Sequence, residues 1–455
     1  MRACRDCRPY RFPAALARDR GVPELVCRGV RLIVDGALDE GTEASLAARL
    51  GMSGRHLRRM FTAYVGVTPD GLARSCRAHF ARRLLDDTDI SVTEVAFAAG
   101  YGSTRQFNRE FNRIFGGTPS RLRAASRFSP GRLGSDSGLP LRLWFTGPLD
   151  WDGLAAFLAA RAVPGVERVD GPIYRRTIMV DGDPGVLELS PGGDDYLNLR
   201  VCLPRWGSLM HVAARARKIA GLDEDPADPA RLLAADPVMG PLLAARPGIR
   251  VPGCWDPFEV GVAAIVDQQA APPASRSVMQ RLVTGLGRQV PGLRPFGLTH
   301  AFPAPGVLAR AHGSLQAAGL TSAQAQTVTS FASAAGQGII RLDASMTSVQ
   351  LTTSLATIPG ITASTAEYVA LRMGELNAFP ADDPALQHSL SQLATTPNTL
   401  SSHNWQPLRS YAAAHLWAAS PQDTSSQNLR QHASRAGLAH GCPLPALPSG
   451  ITSAR

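Results

Sequence analysis

The chain has 455 residues, room for about three domains at roughly 150 residues each, and its 44% hydrophobic and 18% charged residues exclude a disordered chain. No apolar run approaches the roughly 18 residues of a membrane helix, no apolar leader follows Met1, and seven scattered cysteines do not make a disulfide scaffold; the expected setting is the reducing cytoplasm, with no membrane partner. The net charge of +10 is carried by arginine, with Lys218 the single lysine, and favours a phosphate-rich partner.

The basic charge is concentrated early. Residues 1–29 hold seven Arg against three acidic residues, residues 30–125 fourteen against ten, and residues 330–455 six against six. At the start, Cys4-Arg5-Asp6-Cys7 is a CxxC pair. Two thiolates fall short of the four ligands of a structural zinc site, and Cys27 does not extend the spacing. Zinc binding is therefore expected only if Cys4 and Cys7 find further ligands, and no other cofactor is implied.

Residues 42–61 (TEASLAARLGMSGRHLRRMF) place Leu46, Ala47, Leu50, Leu57, Met60 and Phe61 at helical spacing on either side of Gly51, with Ser53 as a helix cap. Residues 92–111 (VTEVAFAAGYGSTRQFNREF) repeat the design with Val95, Ala96, Ala99, Gly100, Ser103, Phe107 and Phe111. Phe61, Gly66 and Thr68-Pro69 recur as Phe111, Gly116 and Thr118-Pro119, and Arg55 recurs as Arg105. A helix from about Leu72 to Leu85 joins the halves. The duplication predicts two helix-turn-helix units over residues 30–125 that can enter successive major grooves of double-stranded DNA. Arg55, His56, Arg58 and Arg59 would face DNA from the first unit, and Arg105, Gln106, Asn108 and Arg109 from the second. Arginine, asparagine and glutamine are side chains that can read guanine and adenine edges bidentately.

A Gly/Ser/Pro-rich linker is expected over 126–138. Strand patterns follow at Leu139–Phe145, Arg176–Val180, Gly185–Leu189 and Tyr196–Leu203, with helices at Trp151–Arg161 and Leu209–Ala220. This predicts an antiparallel sheet with flanking helices over 139–250. From 251 to 420 the chain is helical. There, LATIPGITASTA (Leu355–Ala366) reads as two helices joined at Pro359, Gly360, Ile361 and Thr362, a hairpin whose amides can meet a phosphate. Asp382-Asp383 is a paired carboxylate after a proline turn. Residues 421–455 have no sustained periodicity and are expected to be a loosely ordered tail.

These motifs resemble known families. Residues 30–125, above all GYGSTRQFNREFNRIFGGTPSRLR, resemble the AraC/XylS-type DNA-binding domain. Cys4–Pro9 ahead of it resembles the end of the Ada methylphosphotriester domain, whose two further upstream cysteines have no counterpart before Cys4. Residues 1–29 read as a truncated remnant, and a methyl-acceptor role for Cys4 or Cys7 fails on ligand count. Residues 139–420 resemble the AlkA-type helix-hairpin-helix 3-methyladenine DNA glycosylases, on Val251-Pro252-Gly253, Trp255-Asp256-Pro257-Phe258, Asp267-Gln268-Gln269, Ala366-Glu367-Tyr368 and His415-Leu416-Trp417 besides the hairpin. The implied fold class is mainly α with an α+β middle domain: a double helix-turn-helix bundle, a TATA-protein-like antiparallel sheet domain, and an all-α helix-hairpin-helix domain.

The resemblance implies that Asp383 is catalytic, that Tyr368 and Trp417 line the base pocket, and that Gln268 or Gln269 lies at the wedge which fills the emptied base stack. Ser364 stands where bifunctional relatives hold lysine, so no Schiff base and no strand-cleaving activity are expected. The family's Gly-Ile/Val-Gly is Gly360-Ile361-Thr362 here, losing one glycine. Asp267 places an anion where DNA should pass, and Pro272-Pro273 should break or delay the next helix. The function implied is a monofunctional glycosylase that excises alkylated purines from double-stranded DNA, fused to a regulator that binds adaptive-response promoters. The alternative is a transcription regulator with a degenerate, non-catalytic glycosylase-like domain.

Overall fold

A computed structural model describes residues 22–125, 138–268, 272–393 and 402–420. Cys4, Cys7, Gln269, all but the last residue of the expected linker, and the expected tail from 421 lie outside the described residues.

Among the described residues seven helices come first: α1 (Glu24–Val34), α2 (Glu43–Arg49), α3 (Gly54–Tyr64), α4 (Pro69–Asp87), α5 (Val92–Ala98), α6 (Thr104–Phe115) and α7 (Pro119–Ala125). The sequence duplication extends to the chemistry of their ends. Thr42 and Ser91 each form a capping box, with Ser45 and Glu94, at the entry of the first helix of each unit. Ser53 and Ser103 accept from the amides of His56 and Gln106 at the entry of the second. The turns between pass through Gly51 and Gly100, at φ +73° and +78°, a region where a side chain is strained. Leu46, Leu57 and Phe61 are fully buried in the first unit, and Phe107 and Phe111 in the second. The joining helix is α4, two to three residues longer at each end than the periodicity predicted. The expected boundary at residue 30 falls inside α1, whose Val26, Val30, Leu32 and Ile33 belong to the first unit's core.

The middle region is a five-stranded antiparallel sheet in the order β1-β5-β4-β3-β2, with β1 Leu139–Trp144, β2 Glu167–Asp170, β3 Ile173–Val180, β4 Asp183–Pro191 and β5 Tyr196–Cys202. β2 was not predicted. Helix α8 (Trp151–Arg161) follows β1, and α9 (Leu209–Ile219), α10 (Ala227–Leu233) and α11 (Met239–Ala245) follow the sheet.

The last region consists of α12 (Pro257–Asp267), α13 (Pro272–Leu286), a two-stranded ribbon of β6 (Arg288–Gln289) and β7 (His300–Ala301), α14 (Pro305–Leu308), α15 (His312–Ala317), α16 (Ser322–Gly336), α17 (Ser348–Ala356), α18 (Ala363–Arg372), α19 (Pro384–Leu393) and α20 (Arg409–Ala419). Pro272 and Pro273 do not break α13. They occupy its first two positions, where proline's missing N–H has no helical acceptor to lose.

The sheet and the last region are joined by charge as well as by core. Arg176 on β3 is 2% exposed. It donates to Glu167 Oε1 at 3.0 Å, to Glu259 on α12, and to the Thr177 carbonyl at 3.1 Å. Burial pushes the Glu259 carboxyl up to about 7, against the pull of Arg176. The first helix-turn-helix unit docks onto this body through Arg31–Glu375 at 3.0 Å, Arg49–Asp343 at 2.9 Å, Lys218–Asp35 at 2.5 Å and His211–Asp39. The joining helix α4 and the second unit share one apolar cluster with the sheet, in which Phe80, Leu84, Leu85, Val95 and Phe107 join Leu139 and Leu141.

Candidate active site

The hairpin expected at 359–362 joins α17 to α18. Gly360 sits at φ +93°, and a Cβ there would lie 2.1 Å from Thr327 Oγ1 on α16. That hydroxyl contacts the Pro359 carbonyl at 2.9 Å and the Ala323 carbonyl at 3.0 Å, so the turn is pinned to α16. Thr362, which stands where the family has a second glycine, is a cap. Its Oγ1 accepts from the Thr365 amide at 3.1 Å and so satisfies one of the free N–H groups that open α18. Gly360→Ala should therefore displace the hairpin through both overlap and backbone strain. The expected result is roughly tenfold weaker binding of duplex DNA containing an abasic site, measured by fluorescence anisotropy. Adding Thr327→Ala should recover part of the loss, because it removes the atoms the new methyl would strike.

Asp383 opens α19. Its Oδ1 accepts from the amides of Ala385 and Leu386, both at 3.0 Å, and from Trp417 Nε1 at 3.0 Å. None of these bonds uses Oδ2, and the residue is half-buried. One oxygen therefore fixes the carboxylate while the other stays available. The neighbouring Asp382 is exposed; its amide donates to Ser364 Oγ at 3.1 Å. Ser364 thus ties the hairpin helix to the acidic loop and brings no amine to it.

Trp417 is 3% exposed and Tyr368 half-buried; their rings meet edge to face with centroids 6.1 Å apart. Sequence reasoning placed these two but missed three neighbours. Phe157 on α8 packs 5.4 Å from Trp417. The Arg161 guanidinium lies 3.9 Å over the Phe157 ring and 5.3 Å over Trp417. The buried Arg372 donates to the Tyr368 hydroxyl at 2.8 Å and to the carbonyls of Pro252 and Gly253. The signal in the sequence was the i,i+4 spacing of Phe157–Arg161 and Tyr368–Arg372, which puts each pair on one helix face. Arg161 already takes the cation–π position over the aromatic floor. A small recess of about 50 Å³ lies beside Tyr368, Arg161 and Arg372.

Gln268, expected near the wedge, is committed elsewhere. Its amide donates to Thr365 Oγ1 and braces α12 against the hairpin helix. Asp267 is exposed at the end of α12, and it does line the recess beside Tyr368 and Arg161.

On the helix-turn-helix side, Arg55, Arg58, Arg59, Arg105, Asn108 and Arg109 are exposed, and His56 and Gln106 are half-buried. The eight are not equivalent. Arg58 is drawn into an ion pair with Glu43, and Arg59 contacts His56 Nδ1 at 2.9 Å. Among the described residues no group of three or more His, Cys, Asp or Glu could hold a metal ion, and no helix is long and apolar enough to cross a membrane.

Comparison with known proteins fits this geometry. The AlkA N-terminal domain family matches residues 140–256, and a helix-turn-helix domain family matches residues 46–125. The probable bifunctional transcriptional activator/DNA repair enzyme AlkA of Mycobacterium tuberculosis is 35% identical over 430 residues, covering 92% of this chain and 84% of that protein. DNA-3-methyladenine glycosylase 2 of Escherichia coli is 32% identical over 273 residues, 59% of this chain and 94% of that one. The solved 3-methyladenine DNA glycosylase of Archaeoglobus fulgidus shares the fold at 20% identity, with a TM-score of 0.53 over 61% of this chain and 97% of its own. With the duplicated helix-turn-helix, the antiparallel sheet and the hairpin beside Asp383 in one polypeptide, the chain belongs to the AlkA family of bifunctional transcriptional activator/DNA repair enzymes.

Proposed function

We propose that the chain is a monofunctional DNA glycosylase acting on alkylated purines of the 3-methyladenine type in double-stranded DNA, carried on a sequence-specific regulator module. The observation that supports it best is Asp383, held by Trp417 and the first amides of α19 with one carboxylate oxygen to spare. An alkylated purine carries positive charge and leaves readily. Breaking its N-glycosidic bond builds an oxocarbenium-like sugar. The carboxylate stabilises that cation and orients the attacking water. The base is flipped from the duplex first, and Trp417 and Tyr368 then offer it aromatic faces once Arg161 moves. The hairpin Pro359–Thr362 and the capped start of α18 hold the backbone, and the family resemblance leaves Gln269 for the wedge.

The chemistry needs no cofactor and no metal; zinc enters only if Cys4 and Cys7 are completed by other ligands. The setting is the cytoplasm, where the DNA is. The test is release of free 3-methyladenine from methylated duplex DNA under single-turnover conditions. Release without strand scission supports the reading. Tight promoter binding with no base release selects the degenerate-regulator alternative.

The regulator half makes its own prediction. Asn108 is exposed and carries the donor–acceptor pair that matches an adenine edge. Asn108→Ala should weaken binding to the cognate promoter by about 1–3 kcal/mol and leave a scrambled duplex nearly unchanged. Arg58→Ala should do less, because Glu43 already holds Arg58. Anisotropy titrations against both duplexes decide between them.

A further inference from the structure

The two helices of the hairpin are gripped at their outer ends by the regulator. α18 closes at Gly374, φ +90°, whose amide donates to the Leu371 carbonyl at 2.9 Å, while the Glu375 amide donates to that of Ala370 at 3.0 Å. The Glu375 carboxylate then takes Arg31 of α1 at 3.0 Å. At the other end, the loop into α17 is shaped by Asp343, whose Oδ1 accepts from the Ser345 amide at 2.7 Å. Its Oδ2 takes Arg49 of α2 at 2.9 Å. Beside it the buried Arg28 of α1 donates through Nε to the Ala344 carbonyl at 3.1 Å, and Ala344 itself packs on the apolar core of the first helix-turn-helix unit. Arginines from two regulator helices thus reach the entrance of α17 and the exit of α18, and the hairpin Pro359–Thr362 lies between those points. The clamp has its own footing, because Lys218 and His211 of α9 hold Asp35 and Asp39 just past the end of α1. The segment that runs on from Glu375 toward Asp383 is pinned separately: Ser410 Oγ of α20 donates to the carbonyls of Glu375 and Ala378 at 2.6 and 2.8 Å.

We propose that Arg28, Arg31 and Arg49 are positioning residues for the repair half, forming a clamp through which the regulator fixes the frame of the DNA-binding hairpin. Fixing both outer ends of a helix pair preorganises the turn between them, so less ordering is left to be done when DNA binds. The effect falls on DNA engagement. The rate at saturating DNA is spared, because Asp383 is set by Trp417 and by the first amides of α19, which the clamp does not touch. That last statement rests on the glycosylase reading above; the binding statement does not.

The test uses the full chain and two duplexes of one sequence, one with an abasic site and one intact, titrated by fluorescence anisotropy. The ratio of the two affinities reports on the hairpin, because the helix-turn-helix units meet the same sequence in both. Glu375→Arg with Asp343→Arg turns both ion pairs into like-charge contacts and should cut the preference for the abasic duplex roughly tenfold. Adding Arg31→Glu and Arg49→Glu restores the attraction with the charges exchanged and should return the preference to within about threefold of wild type. The milder Arg31→Ala with Arg49→Ala, which introduces no repulsion, should lower it about threefold. Arg82→Ala, which breaks a pair with Asp86 inside α4, should leave it unmoved. A preference that the reversed chain keeps overturns the clamp, as does one that the exchanged charges fail to restore. Base release from methylated duplex is followed alongside: in the reversed chain the DNA concentration for half-maximal rate should rise while the saturating rate stays within about threefold. Normal base release with an unchanged preference sinks this proposal alone, and a clamp-dependent preference without base release in wild type sinks the glycosylase reading alone.

Discussion

Asp383→Asn should lower single-turnover base release by about a thousandfold while leaving the fold and duplex binding intact. The substitution is selective for a structural reason. Asparagine keeps the side-chain oxygen that accepts from Ala385, Leu386 and Trp417, and it caps helices as well as aspartate does. What it removes is the carboxylate charge that the proposed mechanism sets against the developing sugar cation. Losing one preorganised electrostatic partner or general base costs roughly two to four orders of magnitude, and a thousandfold corresponds to about 4 kcal/mol of barrier. Asp383→Ala would confuse the result, since it also deletes the cap and leaves the Trp417 indole unpartnered. Activity of Asp383→Asn within tenfold of wild type would remove Asp383 from the mechanism.

The second large effect concerns stability. Arg176→Ala leaves Glu167 and Glu259 buried at the joint between the sheet and α12 without their cation. Breaking a buried network in this way costs about 3–5 kcal/mol. The loss should depend on pH, with a definite sign. Glu259 has a folded-state value already raised to about 7 from 4.5, so its ionisation opposes folding progressively as pH rises through that window. Without Arg176 the value rises further. The deficit should therefore be small near pH 5 and largest above pH 7. All six tryptophans lie between residues 144 and 417, so denaturant unfolding followed by their fluorescence reports on the sheet and repair domains. Equal deficits at pH 5 and pH 8 would contradict the account.

The contrast between these two sites shows what could be read from the sequence. Helix ends were legible because they are local: Ser53, Ser103 and the periodic leucines and phenylalanines specify their turns within four residues. β2 was missed because Glu167–Asp170 is four residues long and its sequence, ERVD, carries no apolar alternation; partner β3 makes it a strand. Nothing in the sequence marked Arg176 as buried, since a charge in a strand pattern carries no sign of burial until Glu259, 83 residues on, is placed beside it. The bond from Trp417 to Asp383 spans 34 residues, and only the resemblance to a family suggested the two together. Thr362 and the two prolines were read as losses by comparison with other sequences, yet locally they cap and start helices. The docking of the regulator on the repair domains had no sequence signal at all, because its ion pairs join positions up to 344 residues apart.

One of those pairs gives the molecule a built-in chemical reporter. Lys218 carries the chain's one ε-amine, and Asp35 of the regulator holds it at the junction. An amine-reactive ester therefore has a single side-chain target, whose rate of acylation measures how often the Lys218–Asp35 pair opens. DNA that pulls the regulator away should speed the labelling, and DNA bound with the halves together should slow it. The same residue settles a negative control: borohydride reduction should leave no side-chain cross-link to damaged DNA, because the sole lysine is paired with Asp35 at the junction and a serine stands at the hairpin.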